Sequence, residues 1–328
     1  VTITSGPGLS LKQEAIGLAV MTELPAVIVN VQRGGPSTGM PTKTEQSDLN
    51  LAVFGVAGDA KRIVLAPTNI EGCWKCAGKA FEIAEKYQTP VVVLLDLYLS
   101  NRYEAVAFPV VSPFKADINK RPALKEKGEV YKRYRHTRTG ISPRSVPGED
   151  GGLYTLSGLE HNEKGQPSDQ SDVHQAMSEK RHKKLNSAVH HPGITISKRF
   201  GDKGMVDVGV LGWGSTFGEI LSAMIEARKV GIRCAAMKVV MLSPLPIDRI
   251  NAFLDSSRHV LVPELNFEGQ FANLITGATG RVVHRLNQVP GTPMDVNDVL
   301  DEIRRLAGKK SAEEKIGGRK KAVPAAAE

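Results

Sequence analysis

Gln32-Arg33-Gly34-Gly35-Pro36-Ser37-Thr38-Gly39-Met40-Pro41-Thr42-Lys43-Thr44-Glu45-Gln46-Ser47-Asp48 follows directly on an apolar run over residues 26–31. A buried strand that ends in a cation, followed by glycines that let the backbone turn sharply, places that cation at the mouth of an α/β sheet, where such folds bind ligands. Arg33 is therefore a candidate for gripping a carboxylate or phosphate, because a planar guanidinium matches either bidentately. Ser37, Thr38, Thr42 and Thr44 put hydroxyls nearby. The competing reading is a loop arginine that braces the turn against Glu45 or Asp48.

Outward from this loop, strand and helix signals alternate. A strand is expected over residues 1–4. The turn Ser5-Gly6-Pro7-Gly8 then opens an almost wholly apolar helical stretch over 9–21, which needs cover on most sides. Further strands are expected at 26–31, 63–66 and 91–95. Between the last two runs a helix to about Lys86, announced by the capping box Thr68-Asn69-Ile70-Glu71. This order predicts a parallel α/β sheet. Across 105–203 the periodicity gives way to Pro, Gly, His and charge, as in an excursion or linker rather than a third core. One helical pattern over 172–185 interrupts it, with Lys and Arg in its last turns, where they suit the helix dipole.

A second, smaller α/β unit follows, with strands at 206–211, 234–240 and 260–262. A second capping box, Thr216-Phe217-Gly218-Glu219, opens its helix; Ile220, Met224 and Ala227 share one face, and Gly231 closes it. Beyond 308 the sequence reads as a disordered tail. The expected division is 1–104, an excursion over 105–204, a second domain over 205–300, and the tail over 308–328.

Composition narrows the function classes. The 328 residues, 41% hydrophobic and 24% charged, fit about two globular domains. The apolar run 91–95 is stopped by Asp96, far short of the roughly 20 residues that span a bilayer, so no membrane segment is expected. Three cysteines make no disulfide framework and suit a reducing cytoplasm. The net charge of +8 is concentrated in 114–203, with 18 Lys/Arg against 11 Asp/Glu. Tyr131 and Tyr134 are the aromatics beside that charge, too few for a nucleic-acid surface; a solvated face or a dock for an acidic protein is expected instead. The chain opens on Val1 inside a strand, without an initiator methionine or a cleavage site, and reads as a fragment or processed piece.

Four other motifs bear weighing. Cys73-Trp74-Lys75-Cys76 invites a redox or metal reading, but Cys73, Cys76, Ala77, Ala80, Phe81 and Ala84 fall on one helical stripe, and a single pair supplies too few ligands for zinc or a cluster. Ser5-Gly6-Pro7-Gly8 could cradle a phosphate or simply turn the chain from strand to helix. His161, His174, His182, His190 and His191 fit surface or linker positions. Glu264, Asn266, Gly269 and Gln270 cluster after a strand, as a functional group or as a helix cap.

Several of these segments together resemble the α subunit of the 2-oxoacid:ferredoxin oxidoreductases, most of all the 2-oxoglutarate type. The resemblance rests on Thr4-Ser5-Gly6-Pro7-Gly8-Leu9-Ser10-Leu11, on the loop 32–39 with 41–48, on Ala84-Glu85-Lys86-Tyr87-Gln88-Thr89-Pro90, on Gly158-Leu159-Glu160-His161 and on Glu179-Lys180-Arg181. It implies part of a pyrimidine-type domain of a thiamine diphosphate enzyme, followed by a transketolase-C-like domain. It also implies attack of a thiazolium ylid on a 2-keto carbon, loss of CO₂, transfer of electrons through a 4Fe-4S cluster to ferredoxin, and acyl transfer to coenzyme A. By the same resemblance Arg33 grips the 2-oxoacid carboxylate and Thr42 hydrogen-bonds the substrate. The family's ylid-generating glutamate falls upstream of Val1. Gly58-Asp59-Ala60 and Gly201-Asp202-Lys203 do not match the family's Mg²⁺–diphosphate motif. The resemblance thus implies a partner β subunit carrying Mg²⁺, diphosphate and the cluster, and a chain inactive alone. A non-catalytic scaffold and a Cys73/Cys76 thiol oxidoreductase are the alternatives.

Overall fold

In a computed structural model of the chain, residues 1–107, 129–191 and 193–309 are described. In chain order the first half comprises β1 (Thr2–Thr4), α1 (Gly6–Leu11), α2 (Gln13–Met21), β2 (Ala26–Gln32), α3 (Leu49–Phe54), β3 (Ile63–Leu65), α4 (Ile70–Tyr87), β4 (Pro90–Asp96), α5 (Leu97–Asn101) and α6 (Ser171–Asn186). The second half comprises β5 (Ser197–Gly201), β6 (Val206–Gly212), α7 (Phe217–Lys229), β7 (Cys234–Val239), β8 (Met241–Ser243), α8 (Ile247–Asp255), β9 (Ser257–Glu264), α9 (Gln270–Thr279), β10 (His284–Asn287) and α10 (Val296–Leu306).

Two five-stranded sheets result, in the orders β1-β2-β4-β3-β8 and β10-β9-β6-β7-β5. Each is parallel except for one antiparallel edge strand, β8 in the first and β5 in the second. The edges exchange chain: β7 lies in the second sheet, and two residues later β8 pairs with β3 of the first. The two units also share one apolar core, in which Leu49 and Val92 of the first join Trp213 and Phe271 of the second. The expected boundary at 204–205 is therefore not a seam, and β5, expected inside the excursion, is a strand of the second sheet.

The excursion itself departs furthest from expectation. Tyr131, Arg133, Tyr134, Ser142 and His161 are buried, and α6 packs three cationic side chains inward. Lys180 and Lys184 both pair with Glu23, the second at 2.9 Å. Arg133 Nη2 donates to the Glu23 carbonyl at 2.8 Å and Arg133 Nη1 to Gln88 at 2.8 Å. Arg181 grips Glu160 at 2.6 and 3.1 Å. Part of the basic surplus is thus buried rather than solvated, and the α6 lysines answer a carboxylate rather than a helix dipole. Nor are all the histidines at the surface. His161 packs at a tilt against Tyr134 with ring centroids 4.0 Å apart, and buried His191 reaches Glu82 at 3.1 Å.

Local details also shift. The apolar stretch 9–21 breaks at Lys12, which leaves helical geometry (φ −112°, ψ 11°), and Leu11 and Leu18 are exposed. Asn69, not Thr68, caps α4 by accepting from Gly72 N at 2.9 Å, an equivalent solution because both residue types cap well. Thr216 makes no side-chain cap on α7; its hydroxyl bonds Trp213 O at 2.8 Å across a short 3₁₀ turn. The tail falls outside the described residues except for Gly308 and Lys309, and Lys309 Nζ donates to the carbonyls of Val230 and Gly231.

On α4 the buried stripe is Cys76, Ala80, Ile83, Ala84 and Tyr87. Ala77 and Phe81 face out, so the helix is rotated from the expected register. Burial pushes the Cys73 thiol up to about 11 and Cys76 to about 12. Alkylation of Cys73 in the folded protein is therefore expected to run roughly a hundredfold slower than in unfolded chain, since the thiolate is the reactive form. Comparable rates in the two states, read by mass spectrometry, would revive the thiol oxidoreductase reading.

Candidate active site

The loop after β2 is shaped by its own backbone. Gly34 N donates to Lys43 O at 2.9 Å and Met40 N to Gly34 O at 2.8 Å, closing residues 34–43 into a compact lobe. Gly39 sits at φ +51°, and a Cβ there would lie 2.0 Å from Gly34 O, so only glycine fits. The end of β2 is pinned separately. Gln32 donates to Leu95 O at 3.1 Å and accepts from Asp48 N at 3.0 Å, while Asn30 donates to the Asp48 carboxylate at 2.8 Å. Asn30 and Gln32 are polar positions in a buried strand, and both are spent on holding this loop.

From Gln46 onward the loop is fastened to the second unit. Buried Gln46 donates from its backbone to Leu265 O at 2.7 Å and from its side chain to Trp213 O at 3.2 Å. Asn266 Nδ2 returns a bond to Gln46 O at 3.1 Å, and Gln270 Nε2 donates to Ser47 O at 2.8 Å. The Glu264 group is also a helix cap: Glu264 accepts from Phe271 N and Ala272 N at 2.8 and 3.0 Å, and Asn266 Oδ1 accepts from Gly269 N and Gln270 N. The cluster therefore serves both α9 and the junction between sheets.

Between the two units lies a cleft of about 880 Å³. Gly6 and Pro7 of the first turn, Arg33, Ser37, Ser47 and Asp48 of the loop, and Asn266, Phe267 and Gln270 of the second unit line it. Arg33 is half-buried. Among the described residues its guanidinium has no carboxylate within 4 Å, and its Nε is buried without a hydrogen-bond partner. A bare N–H of this kind in a cleft is costly unless a ligand meets it. Burial pushes the Asp48 carboxyl up from its ordinary range, against the opposing pull of the Asn30 amide and the Arg33 charge. The Ser5-Gly6-Pro7-Gly8 turn contributes a wall: a Cβ on Gly6 would lie 2.7 Å from Asp48, and that carboxylate makes the turn a poor phosphate cradle.

The other loop hydroxyls are distributed differently. Thr44 accepts from Tyr98 N at 3.2 Å and is buried. Thr38 and Thr42 are exposed and outside the cleft lining, so Arg33 and Thr42 are not brought together in this conformation. Gln46 and Asp48 belong to the loop singled out in the sequence, Asp48 as a brace for Arg33, but Asn30 was given no site role there; its one signal was polarity inside an apolar strand. Among the described residues no group of three or more His, Cys, Asp or Glu side chains is placed to hold a metal ion, and no helix is long and apolar enough to cross a membrane.

The two α/β units that enclose this cleft match an established class. Residues 1–180 match the family model for the thiamine-diphosphate-binding domain of pyruvate flavodoxin/ferredoxin oxidoreductases, and residues 206–299 match pyruvate:ferredoxin oxidoreductase core domain II; the chain belongs to this oxidoreductase family. Within it the similarity is to α subunits. The 2-oxoglutarate oxidoreductase subunit KorA of Mycobacterium tuberculosis is 37% identical over 93% of this chain and 45% of its own length. The 2-oxoglutarate synthase subunit KorA of Methanothermobacter marburgensis is 32% identical over 92% of this chain and 79% of its own. A solved 2-oxoglutarate:ferredoxin oxidoreductase from Magnetococcus marinus, with 2-oxoglutarate, coenzyme A and succinyl-CoA bound, superposes with a TM-score of 0.83 at 35% identity, covering 93% of this chain and 52% of that one. The chain spans about half the length of several curated relatives it matches.

Proposed function

We propose that this chain forms the substrate-recognising part of a 2-oxoacid:ferredoxin oxidoreductase, acting on 2-oxoglutarate or a related 2-oxoacid. The overall conversion releases the carboxylate as CO₂, passes two electrons singly to ferredoxin and delivers the acyl group to the thiol of coenzyme A. The observation that carries this reading is Arg33, which lines the cleft and, among the described residues, has no carboxylate of its own chain within 4 Å. Arg33 receives the substrate carboxylate. Asn30 and Gln32 hold the loop so that the guanidinium is presented without reorganisation. By the family resemblance Thr42 is the second substrate contact, although its side chain is exposed outside the cleft lining in this conformation.

The cleft residues fit the acid end of the substrate, whereas the described residues offer no metal-binding cluster for a diphosphate–Mg²⁺ pair. In this reading a partner β subunit holds thiamine diphosphate, Mg²⁺ and the 4Fe-4S cluster. Thiamine diphosphate supplies a nucleophilic carbon and an electron sink. Three free cysteines suit assembly in a reducing cytoplasm.

Co-expression with the β subunit tests the proposal. Thiamine-dependent 2-oxoglutarate oxidation is expected from the co-purified complex and none from this chain alone. Turnover by the isolated chain contradicts the division of labour, and a stable complex without activity favours the scaffold reading.

A further inference from the structure

Lys198 on β5 and Lys238 on β7 are directly opposite in the antiparallel register. Residues so placed project to the same face, and like charges there repel. Both line a recessed cleft of about 210 Å³ beside the start of α4, with Lys75 and Lys79 at its wall. The nearby carboxylates are already engaged, Glu71 by Lys75 and Glu82 by Lys79 and His191. Among the described residues neither Lys198 nor Lys238 has a carboxylate within 4 Å, although Lys238 is half-buried. The amides at the start of α4 do not account for the site, since Ile70 N donates to Glu104 at 3.1 Å and Gly72 N to Asn69 at 2.9 Å. Among the described residues Glu71 is the one carboxylate lining this space; it pairs with Lys75 and its charge also reaches Lys238, so the four ammonium groups lining it share a single lining counter-charge.

We propose that this cleft is a phosphate-binding site, sized for one phosphoryl group, in which a dianion bridges Lys198 and Lys238. Bridging turns the cross-strand repulsion into two charge-assisted hydrogen bonds. The same phosphoryl chemistry is offered by inorganic phosphate and by a phosphate monoester. The site shares no lining residue with the Arg33 cleft, so it stands independently of the 2-oxoacid reading.

Calorimetric titration and thermal unfolding of the complete protein in its native assembly, at fixed ionic strength in phosphate-free buffer, test the proposal. Inorganic phosphate is expected to bind saturably and raise Tm. Lys238→Gln and Lys198→Gln are each expected to weaken binding at least about tenfold, while Lys229→Gln, on a distant surface, leaves it unchanged. Lys238→Gln should match or exceed the wild-type Tm without phosphate, because the repulsion is gone; its lost binding then does not reflect misfolding. Glycerol 3-phosphate run in parallel distinguishes sources: binding by it assigns the site to esters, and binding by inorganic phosphate alone assigns it to the free ion. No saturable binding to the wild-type protein, or equal binding to all three variants, overturns the proposal.

Discussion

Arg33→Ala in the assembled oxidoreductase is expected to lower kcat/KM for the 2-oxoacid by roughly thirtyfold to several thousandfold, the equivalent of the 2–5 kcal/mol typical of losing one partner of a buried charge-assisted pair. The size follows from the site. The guanidinium spends no binding energy on an ion pair with its own chain, its Nε is unpartnered, and the polar ends of β2 and the loop hold it in place. Arg33→Lys keeps the charge and loses the planar fork, so an intermediate loss is expected, with KM rising more than kcat falls. Unchanged steady-state kinetics in both variants would leave Arg33 as a loop brace.

Glu23→Gln is expected to cost about 3–5 kcal/mol of stability, because it leaves buried Lys180 and Lys184 without their carboxylate and removes the negative charge beside Arg133. The backbone sharpens this test. Glu23 follows the end of α2 in the left-handed region at φ 52°, with Leu24 N closing on Ala19 O at 2.9 Å, a position where glycine is favoured. Glu23→Gly relieves that strain, worth about 1 kcal/mol, yet is still expected to destabilise, since the lost charge pairing outweighs it. A Glu23→Gly variant as stable as wild type in urea denaturation would show that the cluster contributes little. Burial raises the Glu23 and Glu160 carboxyls, but the paired lysines, Arg133, Arg181 and His174 outweigh it. Glu160 is thereby held down to about 2, and Glu23 lies well below its ordinary value of 4.5. Folded values below unfolded ones mean that this contribution is complete above about pH 4.5 and is lost progressively as pH falls below it.

How much of this was legible depended on sequence separation. The alternation that places β2, α4 and β4, and the arginine at the end of β2, lie in contiguous runs, so periodicity and turn chemistry reveal them. The cluster around Glu23 does not, because Lys180 and Lys184 stand 157 and 161 residues away. Taken locally, a lysine-rich helix end has a sufficient explanation in the helix dipole, and nothing in the composition of residues 129–191 signals that their charges face inward. The junction at Gln46 is opaque for the same reason, since its partners Leu265 and Asn266 lie about 220 residues on. Edge strand β8 crosses to the first sheet and β5 joins the second through antiparallel register, which hydrophobic pattern alone does not encode. The stripe on α4 was misread by its phase, because cysteine and alanine mark a buried face less sharply than Ile83 and Tyr87.

The most direct measurement is a crystal structure of the assembled complex with the 2-oxoacid bound. The predicted result is a substrate carboxylate within hydrogen-bond distance of the Arg33 guanidinium, inside the cleft bounded by Gly6, Asp48 and Gln270. A substrate seated elsewhere, with Arg33 turned onto Glu45 or Asp48, would contradict the account.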